Sequence, residues 1–149
     1  DNPARHSTGR SAALWHETYG GPLVQPLTIA GRSVIVTPDA DFSDTSFFSP
    51  RPALTIGRAE DADAVAAFVT TFGGQGVDVR PLDHDGIAAH VPGVRAEWVH
   101  GAIEPDCGDI DVAALHAAYL RQAKRRGAEL VLRSAFRSAA WRDGGWDVD

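Results

Sequence analysis

The feature that most constrains the fold is an apolar stripe in residues 65–72 of this 149-residue chain. Four apolar side chains stand at positions i, i+3, i+4 and i+7: Val65, Phe68, Val69 and Phe72. This spacing predicts an α-helix with one apolar face, and Gly73-Gly74 ends the pattern. Because such a face is stable only when another element covers it, the rest of the chain must supply a second layer.

A second helix is predicted to begin after Asp111, a suitable N-cap, and to end before Gly127. The basic run at residues 124–126 favours this end, because cations stabilise a helix C-terminus. Its predicted buried face consists of Val112, Leu115, Tyr119 and Ala123. A shorter helical turn is predicted for residues 85–90, just before Pro92.

Strands are predicted where β-branched residues cluster or where apolar and polar residues alternate. These segments are residues 33–36, 53–56, 77–80, 96–103, 129–132 and 136–141. A turn at Asp143-Gly144-Gly145 leads into residues 146–148 and predicts a C-terminal β-hairpin. Separate helices mixed with hairpin-prone strands indicate an α+β fold.

Composition and charge argue against several classes of protein. The formal net charge of −6 disfavours sequence-independent binding to nucleic acid, which requires cations to displace phosphate counterions. Cys107 is the only cysteine, so no internal disulfide can form. No apolar run approaches the ~20 residues of a membrane span, and the N-terminal residues contain no signal-peptide core. The chain contains no methionine, and we therefore expect it to be part of a longer polypeptide.

No metal site and no cysteine nucleophile are predicted. The six histidines form no HxH or HxxxH pair. Cys107 lies in the polar turn 104–109, where no neighbouring cation or helix N-terminus would activate a thiolate. The carboxylates of residues 104–111 lack the ligand order of a calcium loop, so turn and helix-cap roles are expected for them.

Residues 7–13 carry the groups best suited to a ligand. The run Ser7-Thr8-Gly9-Arg10-Ser11-Ala12-Ala13 combines three hydroxyls with a guanidinium and small residues. Hydroxyls, backbone amides and a guanidinium donate hydrogen bonds to phosphate, and small residues allow the backbone to approach closely. The alternative interpretation is a flexible polar loop without a ligand, since short Ser/Gly runs are common.

Several short motifs follow one another along the chain. They are His6–Ala13, Tyr19-Gly20, Leu27-Thr28, Ser49–Pro52, Gly108–Asp111, Tyr119-Leu120, Arg126-Gly127 and Trp146–Val148. By these motifs the chain resembles the FAD-dependent oxidoreductases of the D-amino acid oxidase superfamily, and most of all the D-amino acid dehydrogenases that include D-arginine dehydrogenase. The first motif is fairly specific, whereas the others count through their order. The resemblance spans nearly the whole chain.

The resemblance implies FAD as cofactor and a set of residues that contact it. These are Ser7, Thr8, Gly9, Arg10, Ser11, Ala12, Ala13, Leu14 and Phe136. Residues 7, 8 and 10 would face the pyrophosphate, residues 11–13 the flavin ring, and the backbone of residue 136 the adenine. Tyr19 would lie on a mobile loop over the substrate, with its phenol facing the amino acid.

Members of this family are more than twice as long and begin with a glycine-rich pyrophosphate-binding turn. We therefore expect this chain to be an internal portion that neither holds FAD firmly nor turns over alone. Residues 1–22 would be the flavin-contacting loop of the FAD-binding domain. Residues 23–107 would belong to the substrate domain, and residues 108–149 would return to the FAD-binding domain as a helix and a hairpin.

The chain departs from its arginine-oxidising relatives at three places. Ala53 follows the Ser-Pro-Arg-Pro motif where those relatives carry an acid that can pair with a guanidinium. Leu14 stands where they have histidine. We therefore expect a substrate other than arginine. Residues 31–36 favour a strand by local propensity, whereas the family is helical there; we follow the family.

The implied activity is oxidation of a D-amino acid or related amine to the imine, and then the 2-oxo acid, by hydride transfer to flavin N5. One alternative is an FAD-dependent 2-hydroxy-acid dehydrogenase of the same superfamily, and another is a non-enzymatic α+β binding module. The expected partners are a small-molecule substrate and the remainder of the polypeptide, with neither nucleic acid nor a membrane span. The expected location is the cytoplasm, with membrane association through an electron acceptor as the alternative.

Overall fold

The structure is a computed structural model that describes residues 3–149. Its helices are α1 (Gln25–Val36), α2 (Ala62–Gly73), α3 (His84–His90) and α4 (Val112–Arg125). Its strands are β1 (Leu14–Trp15), β2 (Phe48–Pro50), β3 (Ala53–Gly57), β4 (Arg80–Asp83), β5 (His100–Glu104), β6 (Gly108–Ile110), β7 (Ala139–Arg142) and β8 (Gly145–Val148). Short 3₁₀ turns occupy Thr8–Arg10 and Ala59–Asp61. Helices combined with antiparallel sheets confirm the predicted α+β class.

The strands form two antiparallel three-stranded sheets and a separate hairpin. The first sheet has the order β1-β6-β2 and the second the order β3-β5-β4. The predicted hairpin is confirmed as β7 paired with β8. Its turn residues Asp143 and Gly144 both have positive φ, 50° and 80°, as a two-residue hairpin turn of the favoured twist requires.

The main core lies between α2 and the second sheet. Phe72, Val77, Val79 and Ala102 are buried there, with the other stripe residues packed against them: Val65, Phe68 and Val69. The predicted helix and its apolar face are therefore confirmed. The predicted strand at 77–80 is wrong in its limits, because β4 begins at Arg80. Val77 and Val79 are nevertheless buried, so their alternation reflects packing rather than strand pairing.

Residues 33–36 form the last turn of α1, so the strand predicted from local propensity is wrong and the family's helix is confirmed. Proline in the first turn suits the start of this helix. The β-branched residues of the last turn are half-buried, and the Ile35 carbonyl accepts a hydrogen bond from the Phe47 N–H at 2.9 Å. Tertiary packing outweighs a propensity difference of well under 1 kcal/mol per residue.

The second predicted long helix is confirmed as α4, but its predicted buried face is not: Tyr119 and Ala123 are exposed, and Val112 and Leu115 are only half-buried. The Asp111 carboxylate caps it by accepting a hydrogen bond from the Ala114 N–H at 2.9 Å. Tyr119, predicted to be buried, is 55% exposed, whereas Ala118 is fully buried. The Tyr119 ring packs edge-on against Phe42, 4.9 Å away between centroids, because the covering element here is a loop and not a sheet.

Three other predicted segments differ in extent or type. The helical turn is α3, one residue longer than predicted, and the strand predicted at 96–103 is confined to β5. Residues 129–132 are not a strand: they are exposed and pair with no described strand. The strand predicted at 136–141 begins only at Ala139, where β8 provides a partner. Within residues 3–149, no helix has both the length and the apolar content to cross a membrane.

Candidate functional site

The polar run 7–13 forms an exposed 3₁₀ turn followed by an extended connection into β1. The Ser11 hydroxyl accepts a hydrogen bond from the Ala13 N–H at 3.0 Å. Ala13 has φ +56°, which turns the chain sharply before the strand. The Ile110 N–H donates to the Ala13 carbonyl at 2.6 Å. The exposed donors of this run are thus fixed at one end to the first sheet.

The first sheet brings together three motifs that are far apart in sequence. Leu14 of β1 and Ser49 of β2 both lie opposite Asp109 of β6. The Arg51 guanidinium donates two hydrogen bonds to the Asp109 carboxylate, at 2.8 and 2.6 Å. These hydrogen bonds lower the pKa of Asp109, because they favour its charged form. A Cβ at Gly108 would lie 2.4 Å from the Phe48 ring, so only glycine allows this close pairing.

A cavity of about 280 Å³ lies between β1 and α1. It is lined by Leu14, Trp15, His16, Tyr19, Leu27, Thr28, Gly31 and Ile35. Two residues predicted for the site, Leu14 and Tyr19, therefore share one cavity, and the run 7–13 leads directly into it through β1. Most of the lining side chains are apolar or small, which suits an uncharged or planar group better than an ion.

Tyr19 lies on the turn 16–21 and is 69% exposed. Its ring meets the His16 imidazole edge-on, with 5.5 Å between ring centroids. Gly20 and Gly21 both have positive φ, 76° and 72°, so the chain can reverse direction immediately after Tyr19. The phenol is not buried in unrelated packing, and it remains accessible to a molecule in the cavity.

Beneath this turn lies a polar cluster that the sequence motifs do not indicate. The Thr18 hydroxyl donates to Glu104 Oε1 at 2.7 Å, and both residues are buried, with exposures of 7% and 5%. His16 Nδ1 lies 3.1 Å from Thr18 Oγ1. Burial raises the pKa of the neighbouring Glu17 carboxyl, and Arg32 partly opposes that effect. No spacing rule links residues 86 positions apart, so only the fold shows this cluster.

Cys107 lies at the edge of the same cluster and is buried, although its turn is polar in sequence. Its Sγ is 3.8 Å from Glu104 Oε2. Burial, with a smaller contribution from the Glu104 charge, raises the pKa of this thiol to about 12. A thiol with so high a pKa is a poor nucleophile at neutral pH. Among the described residues, no group of three or more His, Cys, Asp or Glu side chains is arranged to hold a metal ion.

Phe136 is not among the residues that line the β1–α1 cavity. It is 71% exposed and lies in the irregular segment between α4 and β7. The described chain therefore connects residues 7–14 with the cavity that Tyr19 lines, and Phe136 does not line that cavity.

The donor-rich run fits the demands of a dinucleotide such as FAD. Its hydroxyls and guanidinium are exposed and do not pack into the core, so they can donate hydrogen bonds to a pyrophosphate. The next residues are alanines, which leave room for a flat ring beside the apolar mouth of the cavity. An exposed donor-rich run beside a mostly apolar cavity is the arrangement that a cofactor with both phosphates and a planar ring requires.

Comparison with known proteins identifies the family. The whole chain, residues 1–149, matches the family of FAD-dependent oxidoreductases called DAO, and the chain belongs to it. FAD is the cofactor of this family. The resemblance inferred from the sequence is confirmed at this level.

Solved structures share the fold at low sequence identity. Glycine oxidase from Bacillus cereus superposes with a TM-score of 0.76 at 16% identity, over 96% of this chain and 40% of that one. L-amino acid deaminase from Proteus myxofaciens, in complex with anthranilate, gives 0.71 at 18% identity, over 95% and 33%. L-amino acid deaminase from Proteus vulgaris gives 0.71 at 14% identity, over 93% and 34%. The chain thus spans between a third and two-fifths of the length of these proteins.

Proposed function

We propose that this chain is part of an enzyme that oxidises an amino acid or a related amine to the imine, which water converts to the 2-oxo acid. The observation that carries the proposal is the continuity of the site: the donor-rich run 7–13 leads through β1 into the cavity that Tyr19 lines. A cofactor-contacting peptide and a substrate-facing aromatic residue would then meet at one place. The similar solved structures, a glycine oxidase and two L-amino acid deaminases, support amine oxidation.

The residues of the run divide by chemistry into two groups. Ser7, Thr8 and Arg10 would donate hydrogen bonds to the pyrophosphate, where a charge-assisted contact from a guanidinium is the strongest single term. Ser11, Ala12 and Ala13 would lie against the flavin ring, since small side chains permit close backbone approach. Gly9 and Leu14 complete the proposed cofactor-contacting set. We further propose that the backbone of Phe136 contacts the adenine.

When bound, FAD would supply the two-electron acceptor for the oxidation of the substrate α-carbon. The chain's own contribution is to orient that C–H bond and to exclude water. Tyr19 would contact the amino acid from the turn 16–21 and cover the cavity. None of the residues that line the cavity is proposed as a general base, because an amine that enters neutral needs none.

The site favours a substrate with an uncharged side chain over arginine. Ala53, at the start of β3, provides no carboxylate for a guanidinium, and in the sheet it lies opposite Glu104. The Glu104 carboxyl is buried and already accepts a hydrogen bond from Thr18, so it is not free to take that role. Among substrates with uncharged side chains, we propose the D-enantiomers of amino acids, as the motif resemblance implies.

A second candidate function is oxidation of a 2-hydroxy acid by the same cofactor. It is favoured by Leu14, an apolar residue at the cavity mouth where the arginine-oxidising relatives carry histidine. The two functions differ in whether the oxidised carbon bears nitrogen or oxygen.

Anaerobic reduction of the intact flavoprotein distinguishes these functions. Loss of the flavin absorbance on adding neutral D-amino acids, with none on adding the matching 2-hydroxy acids, is the result we expect. Reduction by the hydroxy acids alone would select the second function. A full-length protein that carries no flavin would leave only the binding-module interpretation.

We propose that the enzyme is cytoplasmic, where a membrane-bound acceptor could still reoxidise it.

A further inference from the structure

The turn 16–21, which carries Tyr19, is fastened to the protein by a buried side-chain contact. The turn's own backbone hydrogen bonds are long: the Tyr19 N–H donates to the His16 carbonyl at 3.4 Å, and the Gly21 N–H to the Thr18 carbonyl at 3.2 Å. Two glycines with positive φ follow Tyr19. Backbone hydrogen bonds alone therefore hold this turn weakly.

The Thr18–Glu104 hydrogen bond is the short and buried contact in this region. It joins the turn to the end of β5, the central strand of the second sheet, over 2.7 Å. Breaking it would leave a carboxyl group buried without this donor, which costs more than losing an exposed hydrogen bond. One side chain thus joins the turn to the central strand of the second sheet.

The same hydroxyl also orients the imidazole that contacts Tyr19. Because the Thr18 proton is given to Glu104, the Thr18 oxygen can only accept from His16 Nδ1, which must then carry a proton. The opposite arrangement is disfavoured by the 3.6 Å between His16 Nδ1 and Glu104 Oε1, where a lone pair would face a carboxylate. The His16 Nδ1–H therefore donates to the Thr18 hydroxyl, and the Thr18 hydroxyl donates to the Glu104 carboxylate. The Tyr19 ring packs edge-on against this His16 imidazole, whose orientation the two hydrogen bonds determine.

We infer that Thr18 and Glu104 are positioning residues for Tyr19: their buried hydrogen bond, extended through His16, sets the place of the phenol over the β1–α1 cavity. The inference rests on the proposed substrate-facing role of Tyr19. It adds that the loop covering the substrate is anchored to β5, and that the anchor acts on substrate binding and not on the cofactor.

The test compares Thr18→Val with Thr18→Ser in the full-length flavoprotein, with Thr71→Val as the control on the exposed face of α2. Valine keeps the shape of threonine but removes the hydroxyl, whereas serine keeps the hydroxyl. Hydrogen–deuterium exchange of the peptide 16–22 is expected to be roughly tenfold faster in Thr18→Val and near wild type in the other two variants. Peptides of β5 and α2 should exchange at the wild-type rate in all three.

Steady-state kinetics give the second readout. In Thr18→Val, KM for the amino acid is expected to rise roughly tenfold while kcat changes by less than about twofold, since the lost contact positions a binding group. The flavin spectrum and FAD content should not change. His16→Ala provides an independent variant, because this side chain lines the β1–α1 cavity and is not part of the core; it should raise KM in the same direction.

Unchanged exchange at 16–22, equal effects of valine and serine, or loss of protection throughout the chain would each overturn the inference. A wild-type flavoprotein that oxidises no amine would refute the proposed function instead. The exchange measurement would still decide whether Thr18 and Glu104 anchor the turn.

Discussion

Residues 53–104 and residues 127–149 both contain large apolar side chains, but they bury them to very different extents. In the first region Phe72, Ile87 and Ile103 are 6%, 0% and 8% exposed. In the second region the large apolar side chains are between 41% and 71% exposed: Leu130, Val131, Leu132, Phe136, Trp141, Trp146 and Val148. The first region forms a layered unit from its own residues, whereas the second does not.

Residues 127–149 therefore leave their large apolar side chains without cover from the described chain. Large exposed apolar patches are typical of surfaces that contact another part of the protein or a partner. The chain spans between a third and two-fifths of the similar solved structures, and we propose that the remainder of the polypeptide covers residues 127–149. The donor-rich run 7–13 is also exposed, which agrees with the proposal that its polar groups contact FAD.

The largest loss of stability should come from a substitution in the buried core of residues 53–104. Phe72→Ala is expected to cost about 3–5 kcal/mol of unfolding free energy, because it removes a buried ring that packs against Phe68 at 5.1 Å. Trp146→Ala in the 149-residue chain should cost about 1 kcal/mol or less, because that ring is exposed and contacts mainly Trp141. Urea denaturation followed by circular dichroism measures both.

Measuring Phe72→Ala and Trp146→Ala in the full-length protein as well shows whether the hairpin is covered there. Trp146→Ala should become clearly more costly there, since the hairpin would then be covered, while the cost of Phe72→Ala should stay the same. Equal costs for Trp146→Ala in the two proteins would show that nothing covers the hairpin.

The next largest effect concerns the donor-rich run 7–13, which we propose contacts FAD. Arg10→Ala is expected to weaken FAD binding by about 1–3 kcal/mol in the full-length protein, because it removes a charge-assisted contact to phosphate. Arg95→Ala is the matched control, since Arg95 is exposed on the loop before β5 and pairs with Glu97 at 3.4 Å. FAD dissociation constants from fluorescence titration provide the measurement, and equal constants for the two variants would argue against the phosphate role.

The smallest effect concerns the ion pair of the first sheet. The Arg51 guanidinium lowers the pKa of Asp109 below its ordinary value of 3.8. The pair therefore contributes stability above that value, and the contribution is lost as the pH falls through the lowered pKa. In an NMR titration, Arg51→Gln should move the pKa of Asp109 back upward, whereas Arg95→Ala should not. An unmoved pKa in Arg51→Gln would show that the pair is not formed in solution.

The elements that could be predicted from the sequence are those whose signals are local. The stripe of α2, the Asp111 cap of α4 and the Asp143-Gly144 turn each depend on residues a few positions apart, and all three are confirmed. The strand predicted at residues 33–36 is wrong because tertiary packing decides between helix and strand there. Residues 129–132 lack a partner strand in the described chain, and no local pattern reveals that.

The candidate site likewise has one part that the sequence predicts and one part that only the fold shows. The run 7–14 was predictable because its donors are contiguous and resemble a known motif. The anchor formed by Thr18 and Glu104 was not, because it joins residues 86 positions apart, one on the turn after β1 and the other at the end of β5. The assignment of residues 7–14, Tyr19 and Phe136 to FAD and substrate, and the division at residues 22 and 107, stay predictions.

The most direct test of the central claim is a crystal structure of the intact flavoprotein with FAD bound. We expect the donors of residues 7–13 within hydrogen-bond distance of the pyrophosphate, and the Tyr19 phenol facing the flavin across the β1–α1 cavity. An FAD molecule held by other parts of the polypeptide, with residues 7–13 in solvent and Tyr19 turned away from it, would refute the proposed cofactor and substrate contacts.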